Sequence, residues 1–137
     1  MIDLEEEIEF TDVEAIFTKA EIKALLKYVK VRQHHCHMNS YRVAEYLNCG
    51  ICEGVILGGL PHAFNYIMRS GKKVYFDITE YNNRRKKITD DIVNTAVVLR
   101  IYPNYLEIMR KYAEKGYYHL TIERDYRLRD YLMKIAV

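Results

Sequence analysis

The chain has 137 residues, 50% hydrophobic and 29% charged, enough for one soluble globular domain, residues 1–137, with a core of its own. No apolar run approaches the ~20 residues of a membrane span, and a net charge of +2 is too small to imply a nucleic-acid partner. Three cysteines, and an acidic N-terminus where a secretion signal would be basic and then apolar, predict free thiols and a cytoplasmic location.

Residues 1–14 carry seven acidic side chains and no basic one, which reads as a solvated, frayed end. Two capping boxes follow, Thr11-x-x-Glu14 and Thr18-x-x-Glu21. The second opens a helix with Ile22, Leu25, Leu26 and Val29 on one face, ending near Val31. Met38, Tyr41, Ala44 and Leu47 recur at intervals of three, so a second core-facing helix runs from Cys36 to about Asn48, stopped by Asn48-Cys49-Gly50. Glu53 to Leu57 reads as a buried strand, broken by Gly58-Gly59-Leu60-Pro61. His62–Met68 and Lys73–Thr79 read as a hairpin through Arg69-Ser70-Gly71-Lys72.

Arg84-Arg85-Lys86-Lys87 reads as a solvated loop. Thr89 to Tyr102 suits either a capped helix or a strand. Pro103-Asn104 starts a helix with Leu106, Met109 and Ala113 inward, stopped by Gly116. Tyr118–Ile122 reads as a strand, and Asp125 caps a last helix with Leu128, Tyr131, Leu132 and Ile135 on one face. The fold class is α+β, with N-terminal helices and a cysteine-bearing helix packed on a small antiparallel sheet.

Residues 33–81 hold three groups of complementary chemistry. Cys36 starts a helix, where unpaired N–H groups and the helix dipole favour a thiolate. His62 opens a strand and could act as base and acid, and Asp77 could fix its tautomer. A loop with an even number of residues keeps His62 and Asp77 on one face of the hairpin. The pairing then predicts a His62–Asp77 hydrogen bond through one ring nitrogen, with Cys36 sulfur within reach of the other. The N–H of Cys36 and the side-chain amides of Gln33 and Asn39 are candidate oxyanion donors.

The segment resembles the core of the transglutaminase-like cysteine hydrolase superfamily. The likeness rests on Cys36 with Ala44 and Leu47 behind it, Cys49-Gly50-Ile51, His62-Ala63-Phe64-Asn65 and Asp77-Ile78-Thr79. It implies a papain-like fold and acyl transfer through a thioester at Cys36, with no cofactor. It also implies an amide or peptide substrate, and adds Asn65 as a candidate substrate-binding residue.

Two other readings stand beside this one. His34, His37, Cys49 and Cys52 could supply four zinc ligands. Alternatively, the chain is a binding module that keeps the fold without turnover.

Overall fold

The computed structural model describes residues 2–56, 59–87, 93–115, 131 and 134. Among them, five helices and five strands form an α+β structure. Strands β1 (Ile2–Glu9), β2 (Gly50–Ile56), β3 (Leu60–Arg69), β4 (Lys72–Phe76) and β5 (Thr95–Tyr102) make one sheet, in the order β1-β5-β2-β3-β4. Every neighbouring pair is antiparallel.

The sheet curls until its two edges meet. Phe10, just past β1, bridges Tyr75 on β4, and Thr11 N–H donates to the Tyr75 carbonyl at 2.8 Å. The inner face of the curl carries Ile8, Cys52, Phe64, Tyr66, Tyr75, Val98 and Ile101. The outer face carries Ile51, Phe76 and Tyr102 and packs against helices. Side chains alternate along each strand, so neighbours such as Ile51 and Cys52 serve different cores.

The helices are α1 (Val13–Ile16), α2 (Lys19–Val29), α3 (Cys36–Leu47), α4 (Ile78–Arg85) and α5 (Tyr105–Lys115). The predicted capping box of α2 is present: Thr18 Oγ1 accepts from Glu21 N–H and Glu21 accepts from Thr18 N–H. Ile22, Leu25 and Val29 are buried as the periodicity requires. α3 starts at Cys36 and ends at Asn48, whose left-handed conformation (φ 53°) stops it. Met38, Tyr41, Val43 and Ala44 pack it on the outer face of the sheet.

Several expectations are corrected. The acidic N-terminus is not frayed; it is β1, an edge strand paired with β5, with Asp3 against Arg100 at 2.9 Å. Its acidic side chains point to solvent and block a further strand from adding there. The first helix is capped by Asp12 and not by Thr11, because Thr11 is held in extended pairing with Tyr75. β2 begins at Gly50, and β3 at Leu60, so Leu60 and Pro61 belong to a strand. Arg84 and Arg85 end α4, with Arg84 paired to Glu80 and Arg85 donating to Asn82.

The segment before Tyr102 resolves as strand from Thr95 onward. On α5 the inward residue is Ile108, flanked by Tyr105 and Met109. Leu106 is 49% exposed, because the helix phase starts from the Asn104 cap. Leu57, Gly58, Thr89–Asp91, Gly116, the Tyr118–Ile122 strand and most of the last helix lie outside the described residues, as does the Ala113 side chain. Tyr131 and Lys134 are helical, and the Tyr131 hydroxyl donates to Glu45 at 2.7 Å on α3. Among the described residues, no helix is long and apolar enough to cross a membrane.

Candidate active site

The β3–β4 turn positions the first two groups. Arg69 pairs with Lys72 across a two-residue loop, Ser70-Gly71, with φ of 51° and 76°. The loop is even, as expected. The ladder ends at Asn65↔Phe76, and the next residue, Asp77, leaves the sheet. Asp77 therefore does not lie within a strand. It is the N-cap of α4, and its Oδ1 accepts from Glu80 N–H at 3.2 Å. Its other oxygen, Oδ2, accepts from His62 Nε2 at 2.5 Å. One carboxylate thus starts a helix and orients an imidazole.

Asp77 holds Nε2, so Nδ1 is the His62 nitrogen left for Cys36, and the imidazole and the thiol line the same cleft. The body of α3 packs on the outer face, whereas His62 stacks on Phe64 of the inner face at 6.2 Å. Cys36, the first residue of α3, lines the same cleft as His62. The positive end of the helix dipole falls on that first residue.

The loop before Cys36 is held by Asn39. Its Oδ1 accepts from Arg32 N–H at 3.1 Å, and its Nδ2 donates to the Arg32 carbonyl at 2.8 Å and to Thr79 Oγ1 at 2.9 Å. Asn39 is buried and committed to these partners, so it is a clamp and not an oxyanion donor. Asn65 is likewise committed: its Nδ2 donates to the carbonyls of Ser40 and Gly50, tying α3 to β2. Gln33, by contrast, lines the cleft over Cys36.

That cleft has a volume of about 400 Å³. One wall is apolar (Ile56, Leu60, Pro61 and Val93), and the other presents Thr79, Glu80 and Asn83. Cys36, His62 and Asp77 lie between them.

The electrostatics follow from burial and partners. Burial alone would push the Cys36 thiol up. The hydrogen bond with His37, and the favourable interaction of both His37 and His62 rings with the thiolate, outweigh it and lower the thiol to about 6. Burial opposes the charge of His62. The Asp77 carboxylate, then Cys36, reverse that and raise the ring to about 10. A thiolate beside an imidazolium is the combination that nucleophilic catalysis needs. Cys49 is the opposite case: burial pushes it up to about 12. Cys52 is pushed up by burial too.

The zinc arrangement is not formed. Cys49 packs in the helix-side core and Cys52 in the inner core, while His37 is turned to Cys36 and Glu53. His34 sits in a left-handed conformation (φ 65°) at the mouth of the cleft. Among the described residues, no three His, Cys, Asp or Glu side chains converge as metal ligands.

Glu53, at the start of the predicted buried strand, faces α3 within reach of His37. An acidic residue in a buried strand was the signal, because an unpaired carboxylate there is costly. Comparison of the chain with protein-family models, curated proteins and solved structures gives no match.

Proposed function

We propose that this protein is a cysteine hydrolase or acyltransferase with a transglutaminase-like, papain-like core, acting on an amide or peptide bond. One observation carries the reading: Cys36, at the start of α3, shares a cleft with an imidazole whose Nε2 is held by the Asp77 carboxylate at 2.5 Å. The order thiol, imidazole, carboxylate supports nucleophile, acid–base and orienter in that order.

In this reading the Cys36 thiolate attacks the carbonyl carbon. Protonated His62 gives its Nδ1 proton to the leaving nitrogen, and a thioester remains on Cys36. Neutral His62 then takes a proton from water or an amine acceptor, which attacks the thioester and restores the thiolate. Gln33 is the side-chain candidate for the oxyanion, beside the Cys36 N–H.

The apolar wall of the cleft favours a substrate with an aliphatic or aromatic group next to the scissile carbonyl. The test uses p-nitrophenyl acetate. A burst of nitrophenolate with an acetyl adduct mapped to Cys36, absent in Cys36→Ala, is expected. Acetylation spread over lysines with no adduct on Cys36 would remove the reading.

A further inference from the structure

The thiol of Cys36 meets a second imidazole on its buried side. His37 Nδ1 lies 3.6 Å from Cys36 Sγ, and His37 Nε2 lies 3.5 Å from Glu53 Oε2. Both residues are buried, at 7% and 4% exposure. Glu53 projects from β2 toward α3, and it is paired across the sheet with Ala63 and Arg100. Tyr102 on β5, whose hydroxyl is buried, stands near enough to Glu53 for burial and that carboxylate to push its hydroxyl up.

His62 with Asp77 already makes a complete set for acid–base work, so this second pair is surplus to it. Two buried ionisable groups are also a poor choice for packing alone, since apolar residues of the same size would serve at least as well. The placement gives the pair another use. Alternation along β3 turns His62 away from the face on which its neighbour Ala63 opposes Glu53. The Cys36 thiol therefore has the buried His37 on its α3 side and shares the open cleft with His62.

We propose that His37 and Glu53 form a second imidazole–carboxylate pair that stabilises the Cys36 thiolate from its buried side, leaving His62 and Asp77 to handle the substrate's protons. His37 is the catalytic member, because it touches the reacting sulfur. Glu53 is a positioning residue that acts through His37. The inference rests on the reading of Cys36 as a nucleophile.

The division of labour follows from proton bookkeeping. On acylation the sulfur becomes a neutral thioester and His62 loses its proton to the leaving nitrogen. His37 keeps its proton, because Glu53 holds it and no leaving group reaches the buried side. When water attacks, the C–S bond breaks and its electron pair returns to sulfur. The Nδ1–H of His37 is already aimed at that sulfur and stabilises it as it leaves. His62, having taken the proton of water, is ready to act as acid again. Among the described residues, the other charged or titratable groups lining the cleft with the thiol are His34, His62 on β3, Asp77 at the start of α4 and Glu80 on α4. Behind His37 stands Glu53, with Tyr102 near it.

The test is the pH dependence of Cys36 alkylation by iodoacetamide on the full chain, which needs no substrate. In the unaltered protein the midpoint is expected near 6. In His37→Gln it should rise by about one pH unit or more, making alkylation at pH 6 roughly fivefold slower or worse. The plateau rate at high pH should stay level or increase, because a more basic thiolate is intrinsically more nucleophilic. Glu53→Gln should move the midpoint the same way by less. A folded His37→Gln or Glu53→Gln protein with an unmoved midpoint overturns the proposal.

Should both variants fail to fold, ¹⁵N titration of the unaltered protein decides. His37 is expected to stay protonated through pH 7, and a ring that loses its proton below pH 7 overturns the proposal. Failure of the enzyme reading looks different: the midpoint shift would be present, but p-nitrophenyl acetate would leave no acyl group on Cys36.

Discussion

Asn39 and Thr79 stand forty positions apart and share a hydrogen bond of 2.9 Å. Asn39 lies one turn into the helix that begins with Cys36, and Thr79 is the second residue of the helix that Asp77 caps. The same Asn39 amide holds both polar groups of the Arg32 backbone. A single buried side chain thus ties together the loop before the thiol, the thiol's helix and the carboxylate's helix. Asn39→Ala should lower stability by about 1–3 kcal/mol, the cost of leaving buried partners unsatisfied. Urea unfolding checks this. Asn39→Asp, which keeps an acceptor for Arg32 N–H but loses the two donated bonds, should also destabilise. An Asn39→Ala protein as stable as the parent would show that the clamp is not needed.

Cys36 should be the reactive thiol. Its proton is lost with a midpoint of about 6, so below that pH the sulfur is protonated and slow, and above it the thiolate dominates. An ordinary thiol, with pKa about 8.5, is roughly 0.3% thiolate at pH 6. Mass spectrometry after brief iodoacetamide treatment at pH 6 should therefore find the label at Cys36, roughly a hundredfold ahead of Cys49 and Cys52. Both of those are buried and pushed up. Equal labelling at the three positions would count against the assignment of Cys36.

Asp77 has two functions that two substitutions separate. Asp77→Asn keeps a good N-cap for α4, whereas Asp77→Ala removes it and should cost about 1 kcal/mol more. Both remove the charge that raises His62. His62 should then lose its proton at lower pH, and the Cys36 alkylation midpoint should move up in both variants. A midpoint that shifts only in Asp77→Ala would mean that the helix, not the charge, sets the thiol.

Ser70 adopts φ 51° and Gly71 φ 76° in the β3–β4 loop. Two consecutive left-handed residues are the type I′ geometry, which Asn-Gly suits better than Ser-Gly. Ser70→Asn should stabilise the protein by about 0.5 kcal/mol, read as a rise in melting temperature. A drop would show that the Ser70 side chain matters to the turn.

Gly54 on β2 pairs with His62 on β3 and with Val98 on β5. A Cβ there would come within 2.0 Å of the Val97 carbonyl oxygen, which is backbone and cannot rotate away. Gly54→Ala should cost about 3 kcal/mol or more, beyond ordinary overpacking. An unchanged melting temperature would show that the β5 bulge at Leu99 relaxes freely.

Much of the architecture could be read locally. Thr18 and Glu21 mark the start of α2, and the spacing of Met38, Tyr41 and Ala44 marks α3, because caps and helical periodicity are short-range properties. Ser70-Gly71 determined the parity of the hairpin, and with it the common face of His62 and Asp77, because strand faces alternate with a period of two. What the sequence alone could not show were the outcomes of long-range pairing. β1 is a strand because β5 offers it an edge, and nothing within residues 1–14 reports that edge. Thr11 lost its cap role to Asp12 because Tyr75 claims its backbone. Asp77 left the sheet because its carboxylate found Glu80 N–H. His37 and Glu53, sixteen positions apart, became partners only because α3 packs across β2. A side chain's chemical type is written in the chain, but which buried charge it faces depends on how distant elements pack together.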